Sequence, residues 1–415
     1  VPLSSSKPWI PLVMSGSLIS LVWLSLGAFA IGSEAFMIAG LLPSLSQDLN
    51  VSLPAAGNLV TAFALTYAIA APIMAVVTAG LERRRLLAIA IGAFALANLL
   101  AAIAPGYAGL MASRVLLALS AATFMPAASG YAAHWGGGGR HGRALSVVTN
   151  GLTVAIIVGA PLGALVGERF GWRTTFLGVA GLAALSLLGI LARLPSQPAG
   201  ATASLRERLA LAKRRDTLAV LVVTALVVAG TFSIYTYLGA FLAKAAGMSP
   251  KGLPLVLMAY GLTSAIGTRI GGAAADRWGG RRTVMLGGGL ALVAYMALAL
   301  SPMLGPDRAT PVLLAAILLW GLSSWGIMTA QQARLVALAP RVASVSLSLN
   351  SSAIYLGSAA GAAAGALVTS HDAVGQLGWV GAGFALSALL VVLTTRSDDQ
   401  TSLTANQAHP AGGAR

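Results

Sequence analysis

The chain has 415 residues, of which 57% are hydrophobic and 9% charged, against roughly 25% charged in soluble domains. So few charges cannot cover a water-soluble surface, and a mean hydropathy of +0.84, with apolar runs too long and too unbroken for barrel strands, points to a helical membrane protein. The net charge of +15 reads as orientation signals in short loops rather than as a nucleic-acid surface, and the absence of cysteine removes disulfides and thiolate chemistry.

Twelve spans are predicted, at 17–43, 55–79, 86–104, 108–134, 144–167, 174–193, 217–243, 253–275, 282–302, 311–338, 343–369 and 376–394. The first lacks a small-residue cleavage site after a short apolar core, so it reads as a span and not a cleaved leader. An even count puts both termini on one side. That side collects Lys7, Arg83–Arg85, Arg140, Arg143, Arg193, Arg206, Arg208, Lys213–Arg215, Arg277, Arg281, Arg282, Arg341, Arg396 and Arg415. The other side holds only Arg169, Arg173, Lys244, Lys251 and Arg308. The asymmetry predicts cytoplasmic termini and an inner-membrane location.

Span one carries Glu34, the only charged residue between Lys7 and Asp48. The other ten of the eleven acids fall in loops, at span ends or in the tail. With the middle of the span near residue 30, a rise of 1.5 Å per residue puts Glu34 roughly 6 Å from it. An ionised acid there costs about 2.5–3.5 kcal/mol. The bilayer disfavours its charged form, so it can take up and release a proton. Three roles stay open: proton coupling, fixed pairing with Arg114 or Arg269, and direct binding of substrate. Met37 shares its helical face.

Span four carries Arg114, and span five carries Asn150, Gly159, Pro161 and Gly163. Glycines at this spacing let helices touch, and Pro161 frees a carbonyl and kinks the helix. The connection after span six, "RLPSQPAGATASLRERLALAKRRD" (193–216), begins as a Pro/Gly/Ala linker and turns basic. Ser204 and Glu207 have capping-box spacing for a short helix, with Leu205 and Leu209 on one face. Such a helix suits anionic headgroups. Span seven offers Phe232, Tyr235 and Tyr237, either as cavity walls for a small amphipathic ligand or as packing. Span ten offers Gln331 beside Arg334, and span eleven offers Asn350. Gly357, Gly361 and Gly365 of span eleven read as packing.

The halves echo each other. Arg84-Arg85 correspond to Arg281-Arg282, and Asn150 to Asn350, at a nearly constant offset. The predicted fold is therefore an all-α membrane protein of twelve transmembrane helices in two pseudo-symmetric six-helix bundles, 1–193 and 217–395. Between them lies a basic linker at 194–216, and a disordered tail follows at 396–415. Duplicated bundles place a substrate site at their interface and alternate access by rocking.

Span eight leads into "GGAAADRWGGRR" (271–282). There Gly272, Asp276, Arg277, Gly279, Arg281 and Arg282 match the pattern G-x-x-x-D-R-x-G-x-R-R. This loop resembles the cytoplasmic signature of the major facilitator superfamily, and the resemblance implies a conformational latch. The equivalent "TAGLERRRLL" (78–87) keeps the arginines but lacks the Asp and Gly of the pattern. Gly159, Pro161 and Gly163 resemble the antiporter motif of the same superfamily. Arg114 matches the arginine of its span-four motif, with Ala118-Leu119 in place of the following Gln-Gly. "SEAFMIAGLLPSLSQDLNVS" is similar to the sugar-efflux, purine-efflux and chloramphenicol-resistance relatives, which usually have Thr-Glu-Phe where this chain has Ser33-Glu34-Ala35-Phe36.

What the resemblance implies is a drug:proton antiporter that exports a small organic solute, with Arg114 joining Glu34 in proton handling. A proton-coupled importer of a sugar or nucleoside-like solute, and a membrane enzyme or non-transporting receptor, are the alternatives. Other signals fail. "WGGGGRHGR" (135–143) lacks the G-K-[ST] ending of a phosphate cradle. His134, His141, His371 and His409 have no metal spacing. No Ser/His/Asp set and no ATP motif can be assembled. No cofactor or metal is expected beyond the proton as coupling ion. The expected partners are a small-molecule substrate and a bilayer with anionic headgroups, and the expected state is a monomer that is not an enzyme.

Overall fold

The computed structural model describes residues 18–133, 141–199, 204–339 and 342–394. The predicted tail, together with Lys7, His134, Arg140, Arg341, Arg396, His409 and Arg415, lies outside the described residues. Among those described, twelve helices are long and apolar enough to cross a membrane. They are α1 (Val22–Asp48), α2 (Leu53–Val77), α3 (Arg83–Ala102), α4 (Tyr107–Ala133), α5 (Ala144–Phe170), α6 (Trp172–Arg193), α7 (Arg215–Tyr235), α8 (Pro250–Trp278), α9 (Gly280–Met303), α10 (Asp307–Leu338), α11 (Val345–Ser370) and α12 (Val374–Thr394). Each corresponds to a predicted span.

Local chemistry sets the ends. Ser52 caps α2 through its hydroxyl, which accepts from the Ala55 N–H, and a proline follows in the first turn. Gly171 and Gly279 turn α5 into α6 and α8 into α9 at φ of +84° and +83°. A side chain disfavours that region, so the loop pattern around Gly279 needs a glycine there.

The span predicted at 217–243 is interrupted. It divides into Arg215–Tyr235 and Leu238–Ala246, an extension of α7. The Thr236 hydroxyl donates to the Phe232 carbonyl, and such local bonding competes with the helix.

Packing repeats under a shift of six helices. In the first half, α1 packs on α5 and α6, α3 on α4 and α6, and α2 on α4. In the second, α7 packs on α11 and α12, α9 on α10 and α12, and α8 on α10. The halves meet along α2–α11 and α5–α8. On the side away from the linker, the α7 extension also touches α1, and Tyr237 fills the space at Gly57 of α2. Helix α8 packs on the middle and the far part of α5 rather than on its linker-side part.

The linker is anchored at both ends. Its start lies on the first half: Gln197 N–H donates to Glu82 at 3.1 Å, and the Tyr131 hydroxyl donates to the Pro195 carbonyl at 2.8 Å. Glu82 also caps α3, accepting from the N–H groups of Arg84 and Arg85. Burial pushes the Glu82 carboxyl up, but the N–H groups of Arg84, Arg85 and Gln197 outweigh it and hold it below its usual value. The clamp is therefore at full strength above the unfolded value of about 4.5 and is lost as pH falls through the lower folded one. Glu82→Gln is expected to cost about 1 kcal/mol at neutral pH. Melting curves of the two proteins should converge in acid.

Further along the linker, helix Leu205–Ala212 forms with both hydrogen bonds of the Ser204/Glu207 capping box. Its orientation differs from the expectation that Leu205 and Leu209 make the apolar face. Arg208 and Leu211 are buried, and Leu209 is 51% exposed. The cause is a polar partner on the bundle: Arg208 donates to the Ser348 hydroxyl of the second half at 2.8 Å. The helix packs against α2, α7 and α11, leaving Arg206, Leu209 and Lys213 outward.

Candidate functional site

Helix α1 runs on through Pro43 to Asp48. Its midpoint is near residue 35, so Glu34 lies at mid-helix and not on one side of it. The carboxylate is fully buried and forms an ion pair with Arg114 of α4, also fully buried. Of the two arginines left open by sequence, the structure brings Arg114 to the acid, while Arg269 is exposed on α8. The second half of the arginine's support comes from α2. Its Nε donates to the Leu59 carbonyl at 3.1 Å, and its guanidinium lies 4.5 Å from the Phe63 ring centroid. Among the described residues Glu34 Oε2 has no hydrogen-bond donor, and neither does the neighbouring Ser33 hydroxyl have a partner. Burying both charges costs several kcal/mol per ion, which their attraction offsets only while both are present.

Two positions further on, α1 points the other way. Phe36 faces the second half, with its ring 6.1 Å from Phe232, 5.8 Å from Tyr235 and 6.2 Å from Trp325. Phe36, Phe232 and Trp325 are only half-buried. The Tyr235 hydroxyl donates to the Phe36 carbonyl at 3.3 Å. Behind this cluster, Trp325 Nε1 donates to the Tyr260 hydroxyl at 3.2 Å. Phe36 and Trp325 were missing from the expected cavity set. An aromatic residue in an apolar helix carries no local mark of the side it faces.

The other expected cavity residues scatter. Met37 is buried against Gly163. Tyr237 is buried at the α7 interruption, where its hydroxyl donates to the Ala362 carbonyl. The two asparagines part company. Asn350 is buried and accepts from Thr224 at 3.2 Å, whereas Asn150 is exposed with Ser146 and Thr149 on one face of α5. Gln331 is fully buried, donates to the Val220 carbonyl at 2.9 Å and accepts from Arg334 at 2.9 Å. These groups order the linker-side core of the second half.

The segment 271–282, the end of α8, the Gly279 turn and the start of α9, ties its own half together. Arg281 donates to the Val392 carbonyl of α12 at 3.0 Å, and Gly280 packs against the stem of Arg334. Gly272 is half-buried, while Asp276, Arg277, Gly279 and Arg282 are exposed. In α5 a π turn spans Ala155–Gly159, just before Pro161. A Cβ on Gly159 would lie 2.0 Å from the Ser33 hydroxyl, and one on Gly163 would lie 2.5 Å from Met37 Cβ. The glycines therefore let α5 close on the helix that carries Glu34.

Comparisons with known proteins agree with this architecture. The sequence profile of the Major Facilitator Superfamily matches residues 24–362. The chain is 34% identical to the inner membrane transport protein YdhP of Escherichia coli (strain K12), covering 93% of this chain and 98% of the relative. It is 31% identical to the uncharacterized MFS-type transporter YbcL of Bacillus subtilis (strain 168), covering 89% and 94%. Its fold is similar to a bacterial homolog of the human lysosomal transporter Spinster in an inward-facing, unoccupied conformation, with a TM-score of 0.70, 16% identity and coverage of 92% and 98%. It is also similar to the nucleoside transporter NupG, with a TM-score of 0.69, 14% identity and coverage of 91% and 98%. The chain is a multi-pass membrane transporter, not an enzyme, and belongs to the Major Facilitator Superfamily.

Proposed function

We propose that this transporter is a proton-coupled antiporter that exports a small organic solute from the cytoplasm by alternating access. One observation carries the reading: Glu34 is wholly buried on Arg114 and keeps one carboxylate oxygen without a donor among the described residues. A proton arriving on that oxygen neutralises the acid and removes the anion that holds the arginine. Its departure restores the pair. A mid-membrane acid with two such states suits a proton relay.

The solute would contact the half-buried rings of Phe36, Phe232 and Trp325, beside Tyr235. Aromatic walls with few polar groups favour a compact amphipathic molecule. Because Glu34 and Phe36 share one helix, solute and proton act on the same element. The polar strip of Ser146, Thr149 and Asn150 lines the approach from the linker side. The excess of basic residues makes that side cytoplasmic. Residues 271–282 act as a latch within the second half. No cofactor is required, a monomer suffices, and the outward Arg206 and Lys213 of the linker helix meet anionic headgroups.

Inside-out vesicles with an acid lumen test the reading. Amphenicols, purines, nucleosides and sugars are added in turn, and dissipation of the pH gradient is recorded. Wild type is expected to release protons with at least one solute class. Glu34→Gln should lower that release by a factor of ten or more (~1.4 kcal/mol). An identical response in both proteins removes Glu34 from coupling. A gradient that builds instead of dissipating would mean an importer.

A further inference from the structure

Aromatic side chains from both halves meet behind the ion pair. Phe63 lies beneath the Arg114 guanidinium. It also packs against Tyr67, one helical turn along α2, at 6.4 Å, and against Tyr355 of α11 at 6.2 Å. Tyr67 and Tyr355 stack with centroids 3.6 Å apart and planes inclined by 22°. Phe63 and Tyr67 are buried, and Tyr355 is half-buried. A side chain of the second half thus braces the ring on which the first half's buried arginine rests.

The partners of Arg114 differ in kind. Glu34 is an anion that can vanish on protonation. The Leu59 carbonyl and the Phe63 face, one turn apart on α2, are permanent. A buried cation that loses its anion depends more on the carbonyl and the ring that remain. Helix α2 therefore takes up the arginine when Glu34 is neutral. The α2–α11 contact is one of the two long contacts between halves.

We propose that Tyr355 is a positioning residue for coupling: by stacking on Tyr67 and bracing Phe63 against Arg114, it converts protonation of Glu34 into a change in the contact between the two halves. The neutral acid favours the stacked arrangement, and the ionised acid draws the arginine back and relaxes the demand on it. The inference rests on the reading of Glu34 as the proton site. Of the charged groups on helices packed against α1, Arg114 is the one paired with Glu34. His141, Arg143, Glu168, Arg169, Arg173, Arg193, Arg215, Asp216 and Lys244 occupy helix ends. The phenols on those helices are Tyr67, Tyr107, Tyr131, Tyr235 and Tyr237.

The chain has no cysteine, so spin labels can be placed at will. Val77→Cys on α2 and Leu286→Cys on α9 replace exposed residues, one in each half. The distance distribution between the labels is measured in nanodiscs across pH, without solute. A pH-dependent redistribution is expected in the otherwise wild-type protein and in Tyr355→Phe, which keeps the ring. Tyr355→Leu should reduce the pH response at least about fivefold, a typical coupling between sites. Phe63→Leu should do the same, which guards against a folding defect peculiar to one variant. A full response in both leucine variants, with none in Glu34→Gln, overturns the role of Tyr355 alone. A full response in Glu34→Gln overturns the proton reading and this inference with it.

Discussion

Arg114→Met is expected to destabilise the protein by about 3–5 kcal/mol at neutral pH, because it leaves the fully buried Glu34 carboxylate without its cation. The double variant Arg114→Met/Glu34→Gln should recover most of that loss. A neutral amide beside a thioether is far cheaper to bury than a lone charge. The arginine variant should also regain stability in acid, where Glu34 can be buried as the neutral carboxyl. Melting temperatures of the three proteins in one detergent, across pH, give the comparison. If the double variant is as unstable as the sum of the single ones, the two residues do not act as a pair.

The second large effect belongs to helix contacts made through glycine. A Cβ on Gly151 of α5 would lie 2.1 Å from the Ser25 carbonyl oxygen of α1, and one on Gly361 of α11 would lie 2.2 Å from that of Ala229 on α7. The obstacle in each case is backbone, which cannot swing aside, so the helices must separate. Gly151→Ala and Gly361→Ala should each cost about 1–3 kcal/mol or more. Gly178 and Gly289 are also helical, but a Cβ there meets nothing within 4 Å. Alanine at these two positions should be neutral or stabilising by up to about 1 kcal/mol. Equal melting temperatures for Gly151→Ala and Gly178→Ala would refute the role of close approach.

The helices were legible in the sequence because apolar length and loop charge are local properties. The Ser204/Glu207 cap was legible because its spacing is a short-range rule. Glu34 stood out because it is a lone acid in an apolar span. The residues alone left its partner open, since Arg114 and Arg269 are both in-span cations and the choice depends on which way α1 is rotated, while the family resemblance pointed to Arg114. Arg208 lies on a helix whose composition suits headgroups, yet it turns inward and donates to the Ser348 hydroxyl of α11. The interruption of α7 falls on Thr236 and Tyr237, neither of them a proline or a glycine. Asn150 and Asn350 matched as repeats but differ in burial, because α11 packs along α2 while the linker-side part of α5 is left by α8.

The glycines of α5 have one more consequence. Gly151 meets Ser25, Gly159 meets Ser33, Gly163 meets Met37 and Gly167 meets Leu41, and the interval in sequence is the same each time. The two helices mesh like a rack. Sliding one past the other means jumping a whole tooth of four residues, about 6 Å, whereas rolling leaves the teeth engaged. Glu34 sits beside one of those teeth, so its height is geared to α5. A roll of α1 against α5 would leave the acid at the same height beside α5 and change only the groups that face it.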